Sequence, residues 1–266
     1  MHRQVEARAA VGIIGGSGVY DQDAFENVRS LTIATPYGAP SAPLELGTFR
    51  GVPTAFLPRH GKGHTIPPHR INFRANLWAL HCLGVQWVLS PCAVGSLQEE
   101  LTPGMFVIPD QFIDLTKNRP TTFFDGGKVY HIPMDQPFCP TLGRIIAAQA
   151  AALDLPHHAG GTYLCIEGPR FSTKAESKMF RTFADIIGMT ACPEVALARE
   201  LEMSYASIAM VTDYDVWADK PVSTEEVLKT LGANLTNSAA LLRKVIPAIP
   251  FTKDSPYKGS LQHAAL

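Results

Sequence analysis

An apolar run, Val11–Ile14, breaks directly into the glycine-rich turn Gly15–Gly18, and short apolar runs then alternate with helix-like segments down the chain. A run this short, stopped by glycine, reads as a strand, and strands interleaved with helices place a mixed sheet under a cover of helices. Leu44–Phe49 and Thr54–Leu57 predict a hairpin around the polar–Gly turn Arg50-Gly51. Trp87–Ala93 predicts a buried strand, Met105–Pro109 a short one, and Ala206–Thr212 another apolar one. Helices are expected over Asn72–Cys82, Leu142–Leu153, Thr173–Phe183 and Glu194–Glu202. Ser223-x-x-Glu226 forms a capping box for a last helix that runs toward Val245 and stops before Pro247. The expected fold class is therefore α/β: a single domain with a central mixed β-sheet flanked by helices.

With 266 residues the chain buries a core large enough for one such domain. Charged residues are 18 % and hydrophobic ones 46 %, which fits a folded globule, and a net charge of −1 gives no bulk pull toward nucleic acid or anionic membrane. Nothing approaches the run of about 18 apolar residues that a transmembrane helix needs. Residues 1–10 read as a disordered leader, residues 11–250 as the domain, and residues 251–266 as a polar tail, either loose or clasping a neighbour. The five cysteines are odd in number and scattered, so they read as reduced thiols of a cytoplasmic protein.

Five segments carry candidate chemistry. Gly12–Gly18, with Ser17 as an added hydroxyl donor, lets backbone amides approach an anion; a plain tight turn serves equally, and the dinucleotide signature G-x-G-x-x-G is missing. Arg59 and His60 end the hairpin's second strand, where a guanidinium grips phosphate through two parallel hydrogen bonds; an ordinary surface ion pair is the alternative. His60, His64 and His69 lie on no common helix face, so no metal is expected. Ser90–Ser96, including Cys92 and Ala93, ends a buried strand in small residues, as ligand sites of α/β sheets do, although structural packing alone explains it equally well. Glu167–Ser172 presents Phe171 on a rigid Gly-Pro turn, suited to stacking on a flat base unless the ring is simply core. Asp213 and Asp215 sit two apart after a buried strand, costly unless partnered; one protonated carboxyl donating to a purine nitrogen and one accepting from an amine is the functional reading, a solvated turn the other.

Taken together, GIIGGSG, RHGKGHT, RANLWAL, GSLQEELTPG, IPDQFID, HIPMDQPFCP, IEGPRFSTKAES, MTACPE and YASIAMVTDYDVW, in that order, resemble the trimeric purine nucleoside phosphorylases, most closely their S-methyl-5'-thioadenosine phosphorylase branch. The likeness covers about Val11 to Pro250 and implies a partly barrel-like sheet. It implies that Ser17, Arg59, His60, Cys92, Ala93 and Thr190 hold phosphate. Met189 would lie against the ribose and Phe171 against the base. Asp213 would bond the purine N7 and Asp215 its amino side. His131 would reach a neighbouring subunit's site near the 5' substituent, with Thr224 close to that group. Cys92 stands where many members have Thr, Gly188 replaces an Asn often found before Met-Thr, and the loop after Trp217 is two residues shorter.

The implied reaction is phosphorolysis: phosphate attacks C1' of the ribose while adenine leaves, with Asp213 protonating or hydrogen-bonding N7. Inorganic phosphate is a co-substrate and no cofactor is expected. In the inosine- and guanosine-cleaving branch the family usually has Asn at the position of Asp213 and Glu at that of Ser172, so this chain points to an amino purine. A broader purine nucleoside phosphorylase acting on adenosine or inosine, and a non-catalytic nucleoside-binding protein, are the competing readings. The resemblance implies a homotrimer, with a hexamer as the alternative.

Overall fold

The computed structural model describes residues 8–16, 24–218, 224–262, 264 and 265, so Ser17 and the capping box at Ser223 lie outside it. Among these residues eleven strands form one branched mixed sheet. β1 (Val11–Gly15) lies between β4 (Val52–Pro58) and β5 (Trp87–Ser96), parallel to both. Beyond β4 come β3 (Leu44–Phe49) and the edge strand β2 (Phe25–Leu31), both antiparallel. The expected hairpin turn is there, with Arg50 at φ 49 and Gly51 at φ 83. Two successive positive φ values match the twist of the flanking strands, and a glycine at the second position adopts its value without strain.

At β5 the sheet divides. One arm is the parallel strand β11 (Ser204–Asp213), then β6 (Phe106–Ile108) and β8 (His157–Ala159). The other is β10 (Ile186–Gly188), β9 (Thr162–Ile166) and β7 (Gln111–Leu115). Only Pro109 and Asp110 separate β6 from β7, so the chain itself reunites the arms and bends this side into a partly closed ring.

Apolar side chains alternate between two cores, which explains why the central strands read as continuous apolar runs. Ile14, Val88, Tyr205, Ala209 and Val211 face one core, beneath α1 (Phe73–Cys82) and α4 (Glu194–Glu200). Ile13, Leu89, Ala206, Ile208 and Met210 face the other, beneath α2 (Pro140–Ala152) and α5 (Thr224–Val245). The remaining helix, α3 (Lys174–Phe180), is held by a reciprocal cap between Thr173 and Glu176.

The described residues at both ends are tied to the domain. Ala9 and Ala10, assigned to a leader, already donate to Leu83 O and Pro53 O. The tail docks on its own domain: Ser255 bonds Ser204 at 2.9 Å, Tyr257 donates to the carbonyls of Gln136 and Phe138, and Arg199 stacks on the Tyr257 ring. No helix among the described residues is long and apolar enough to cross a membrane.

Candidate active site

A cavity of about 570 Å³ opens beside the ends of β1, β4, β9, β10 and β11 and along the last turn of β5. Ligand sites of open α/β sheets form at such carboxyl ends, because the chain there leaves the ladder and exposes backbone groups. Arg59, His60, Cys92, Ala93, Phe171, Ser172, Met189, Thr190, Asp213 and Asp215 all line it, though they come from segments up to 156 residues apart. His131 is exposed and outside the cavity, its N–H bonded to Ala264 O at 2.8 Å. Thr224 begins α5, but its side chain lies outside the described residues.

Arg59 is almost wholly buried, and its guanidinium fork is already occupied. Nε donates to Glu194 Oε2 at 2.9 Å and Nη2 to Glu194 Oε1 at 3.0 Å, with further Nη2 bonds to Ile14 O and Ser90 Oγ. Nη1 makes one contact, 3.3 Å to Pro91 O. The two-bond grip on phosphate expected of Arg59 is therefore not open on that edge; the Nη1 end is what remains for an anion. Burial opposes the cation, and Glu194 more than offsets it, so the guanidinium stays charged.

His60 is held neutral. Burial, and then the charge of Arg59, press its pKa down to about 4, against a hydrogen bond to Ile66 O that favours the cation; His64, stacked on it at 4.2 Å, also lowers it. Nδ1 lies 2.9 Å from Ile66 O, and a carbonyl only accepts, so Nδ1 carries the proton and Nε2 presents a lone pair. A phosphate oxygen bonded to Nε2 must therefore bring its own hydrogen.

Cys92 turns its thiol to Ser207 Oγ at 3.3 Å, and burial raises its pKa, so it remains a thiol. This leaves the backbone as the contact that segment offers an anion. Gly188 is explained by sterics: a Cβ there would overlap the phenol of the fully buried Tyr163. Gly168, at φ 64, is required twice over, since a Cβ would also meet Met189 Sδ at 2.5 Å.

At the other carboxylates, β11 slips register between Val211 and Asp213, which sets Asp213 opposite Gly95. A Cβ on Gly95 would come within 2.9 Å of Asp213 Oδ1, so the glycine makes room for the carboxylate. Thr212 Oγ1 donates to Asp213 Oδ2 at 2.7 Å and Asp215 N to Asp213 Oδ1 at 2.8 Å. Asp215 is buried, and burial raises its pKa. The hydroxyls of Ser177 and Ser172 are near enough to favour its charge, yet Asp215 Oδ2, Ser172 Oγ and Ser177 Oγ all lack a hydrogen-bond partner. Buried polar atoms without partners cost about 1–3 kcal/mol each, so this corner is built to receive one.

Two further residues, to which the motifs assign no role, shape the site, although Glu194 closes the MTACPE segment. Glu194 is one. Arg119 is the other: its guanidinium donates to the carbonyls of Met189, Cys192 and Glu167 at 2.8, 2.5 and 2.7 Å, and its charge pairs with Glu167. It thereby staples the segment carrying Met189 and Thr190 to the one carrying Phe171 and Ser172. Among the described residues no cluster of three or more His, Cys, Asp or Glu is placed to hold a metal ion.

A model of the phosphorylase superfamily matches residues 10–247, nearly the whole chain. The chain belongs to the phosphorylase superfamily. Within that superfamily it is 58 % identical over 240 residues to an S-methyl-5'-thioadenosine phosphorylase of Pyrococcus furiosus, covering 90 % of this chain and 93 % of the relative. It is 52 % identical over 261 residues to one of Nitrosopumilus maritimus, covering 98 % and 99 %. Among solved superfamily members, a methylthioadenosine phosphorylase from an antarctic soil metagenomic library superposes with a TM-score of 0.94 at 44 % identity, over 98 % of this chain and 93 % of the other. A mutant adenosine/methylthioadenosine phosphorylase of Schistosoma mansoni, in complex with methylthioadenosine, superposes at 0.90 with 39 % identity, over 97 % and 98 %.

Proposed function

We propose that this chain cleaves S-methyl-5'-thioadenosine with inorganic phosphate, giving adenine and 5-methylthioribose 1-phosphate. The observation that carries the base assignment is Asp215 Oδ2, a buried acceptor without a partner on the cavity wall. An exocyclic amine supplies the missing donor, whereas a 6-oxo group offers another acceptor. The apolar Met210 and Leu235, which also line the cavity, suit a methylthio group better than a 5' hydroxyl.

Phosphate sits against Arg59 Nη1, Thr190 and the backbone near Ala93, with its hydroxyl donated to His60 Nε2. It attacks C1' as the C1'–N9 bond lengthens, and its negative charge stabilises the oxocarbenium character of the sugar. The electrons of the breaking bond pass to adenine, which takes its proton or hydrogen bond at N7 from Asp213 protonated on Oδ2, the Thr212 hydroxyl then donating to Val94 O instead and the carboxylate being left behind. Phe171 stacks on the base and Met189 lies on the ribose.

The assembly is read as a homotrimer in the cytoplasm. His131, exposed and tied to the tail through its N–H bond to Ala264 O and the Tyr130–Ala265 bridge, supports a reach toward a neighbouring subunit's site. Adenine release from methylthioadenosine, with and without phosphate and beside inosine, tests the function. Phosphate-dependent adenine release with little hypoxanthine supports it; stronger inosine cleavage overturns the reading of Asp215.

A further inference from the structure

We infer that Glu194 is a positioning residue for Arg59 that also weakens the hold on phosphate, so that the sugar phosphate formed can leave. This rests on the reading of the cavity as a phosphate-dependent nucleoside-cleaving site. Glu194 is the first residue of α4 and has no solvent exposure. Its two oxygens receive four donors: Arg59 Nε on Oε2, and Arg59 Nη2, Ser90 Oγ at 2.9 Å and Tyr205 Oη at 2.7 Å on Oε1. These donors come from the residue just after β4 and from β5 and β11, so the carboxylate is fixed to the centre of the sheet and cannot swing away from the guanidinium.

Two consequences follow. The first is geometric: with the Nε–Nη2 edge bound, the guanidinium plane is locked, and Nη1 is the end left to meet an anion in the cavity that Arg59 lines. The second is electrostatic. A phosphate dianion entering the cavity meets an ion pair, not a free cation, and the carboxylate repels it. Substrate phosphate and product sugar phosphate both carry this dianion. A bare arginine would hold both tightly, lowering KM for phosphate while slowing release of the product. The carboxylate offsets that uniform attraction and leaves the directional Nη1 bond in place.

The test compares Glu194→Gln, which keeps the shape and one acceptor oxygen, with Glu194→Asp, which keeps the charge. Glu194→Gln is expected to lower KM for phosphate on the order of a hundredfold, the effect of one unit charge about 6 Å away in a medium of effective dielectric about 20. Its kcat falls as product release slows, and inorganic phosphate raises its Tm more steeply than that of the wild type. Glu194→Asp shows no fall in KM. A purely structural role moves Tm and kcat without tightening phosphate, so a raised or unchanged phosphate KM in Glu194→Gln overturns the inference. If the variant folds only in phosphate buffer, its Tm against phosphate concentration still decides: a slope no steeper than wild type overturns it too. Wild-type adenine release that does not need phosphate would instead remove the underlying reading of the site.

Discussion

The neutral state of His60 has a measurable cost in acid. Its pKa falls from an ordinary 6.5 to about 4, a difference of roughly 3 kcal/mol between the two protonation states. Burial, the neighbouring Arg59 charge and the stacked His64 all act in that direction. Because the folded value is depressed, the unfolded chain takes up the proton first as pH falls. Stability is therefore whole above pH 6.5, is lost progressively between 6.5 and about 4, and levels below that. For a chain of this size about 3 kcal/mol corresponds to roughly 6–10 °C in Tm. His60→Gln removes the titrating group and leaves other acid-sensitive groups in place. Scanning calorimetry of both proteins from pH 7.5 to 4 should show the wild type losing that much relative to the variant. Two curves that stay parallel would mean that His60 titrates normally, and the phosphate contact through a bare Nε2 would have to be abandoned.

Other perturbations separate chemistry from scaffold. Asp213→Ala should cut turnover of methylthioadenosine by about 10²–10⁴-fold, the usual worth of a general acid, and near wild-type turnover would refute its role. Phe171→Ala should raise KM for the nucleoside while leaving Tm within about 0.5 kcal/mol of wild type, since the ring is 44 % exposed and packs little core. Gly188→Ala should lose about 1–3 kcal/mol by thermal unfolding, because the added Cβ overlaps the phenol of the fully buried Tyr163; a wild-type Tm would contradict the steric account. Arg119→Met should raise KM for phosphate and nucleoside together, since it releases both segments that Arg119 ties; an effect on one substrate alone would show that the staple does not couple them.

The elements that could be read from the chain are those whose cause is local. The turn Arg50-Gly51, the helix α1 and the buried strands β5 and β11 follow from a turn chemistry, a helical period and apolar runs, and all are present, with Asn72 serving as the cap of α1 rather than its first residue. β2 escaped notice because Phe25–Leu31 is an edge strand with five exposed positions in succession and a register shift between Glu26 and Arg29, so no alternation marks it. β10 and β8, three residues each, are too short to show any period, and they exist only because neighbours supply their hydrogen bonds. The cavity-lining residues were legible as a set through motif resemblance, each being weak alone.

Glu194, Arg119 and Tyr163 were not legible, for one physical reason. A fully buried charge has no short-range signature: Glu194 follows Cys-Pro and opens a helix, a position where an acidic residue is ordinary anyway. Its partner Arg59 lies 135 residues away, and only the parallel register of β1 with β4 and β5 brings the pair and Ser90 together. Arg119 satisfies carbonyls rather than side chains, so its partners carry no residue type that a pattern could detect. Tyr163 is marked indirectly, by the glycine it forces at position 188. The departure at Gly188, unexplained as a phosphate-loop residue, is thus accounted for by a phenol 25 residues earlier on the adjacent parallel strand, where Gly188 pairs with Cys165. Substitutions in such a site are therefore coupled through packing before they are coupled through substrate, and Gly188→Ala should become tolerable only when the residue at 163 is made smaller.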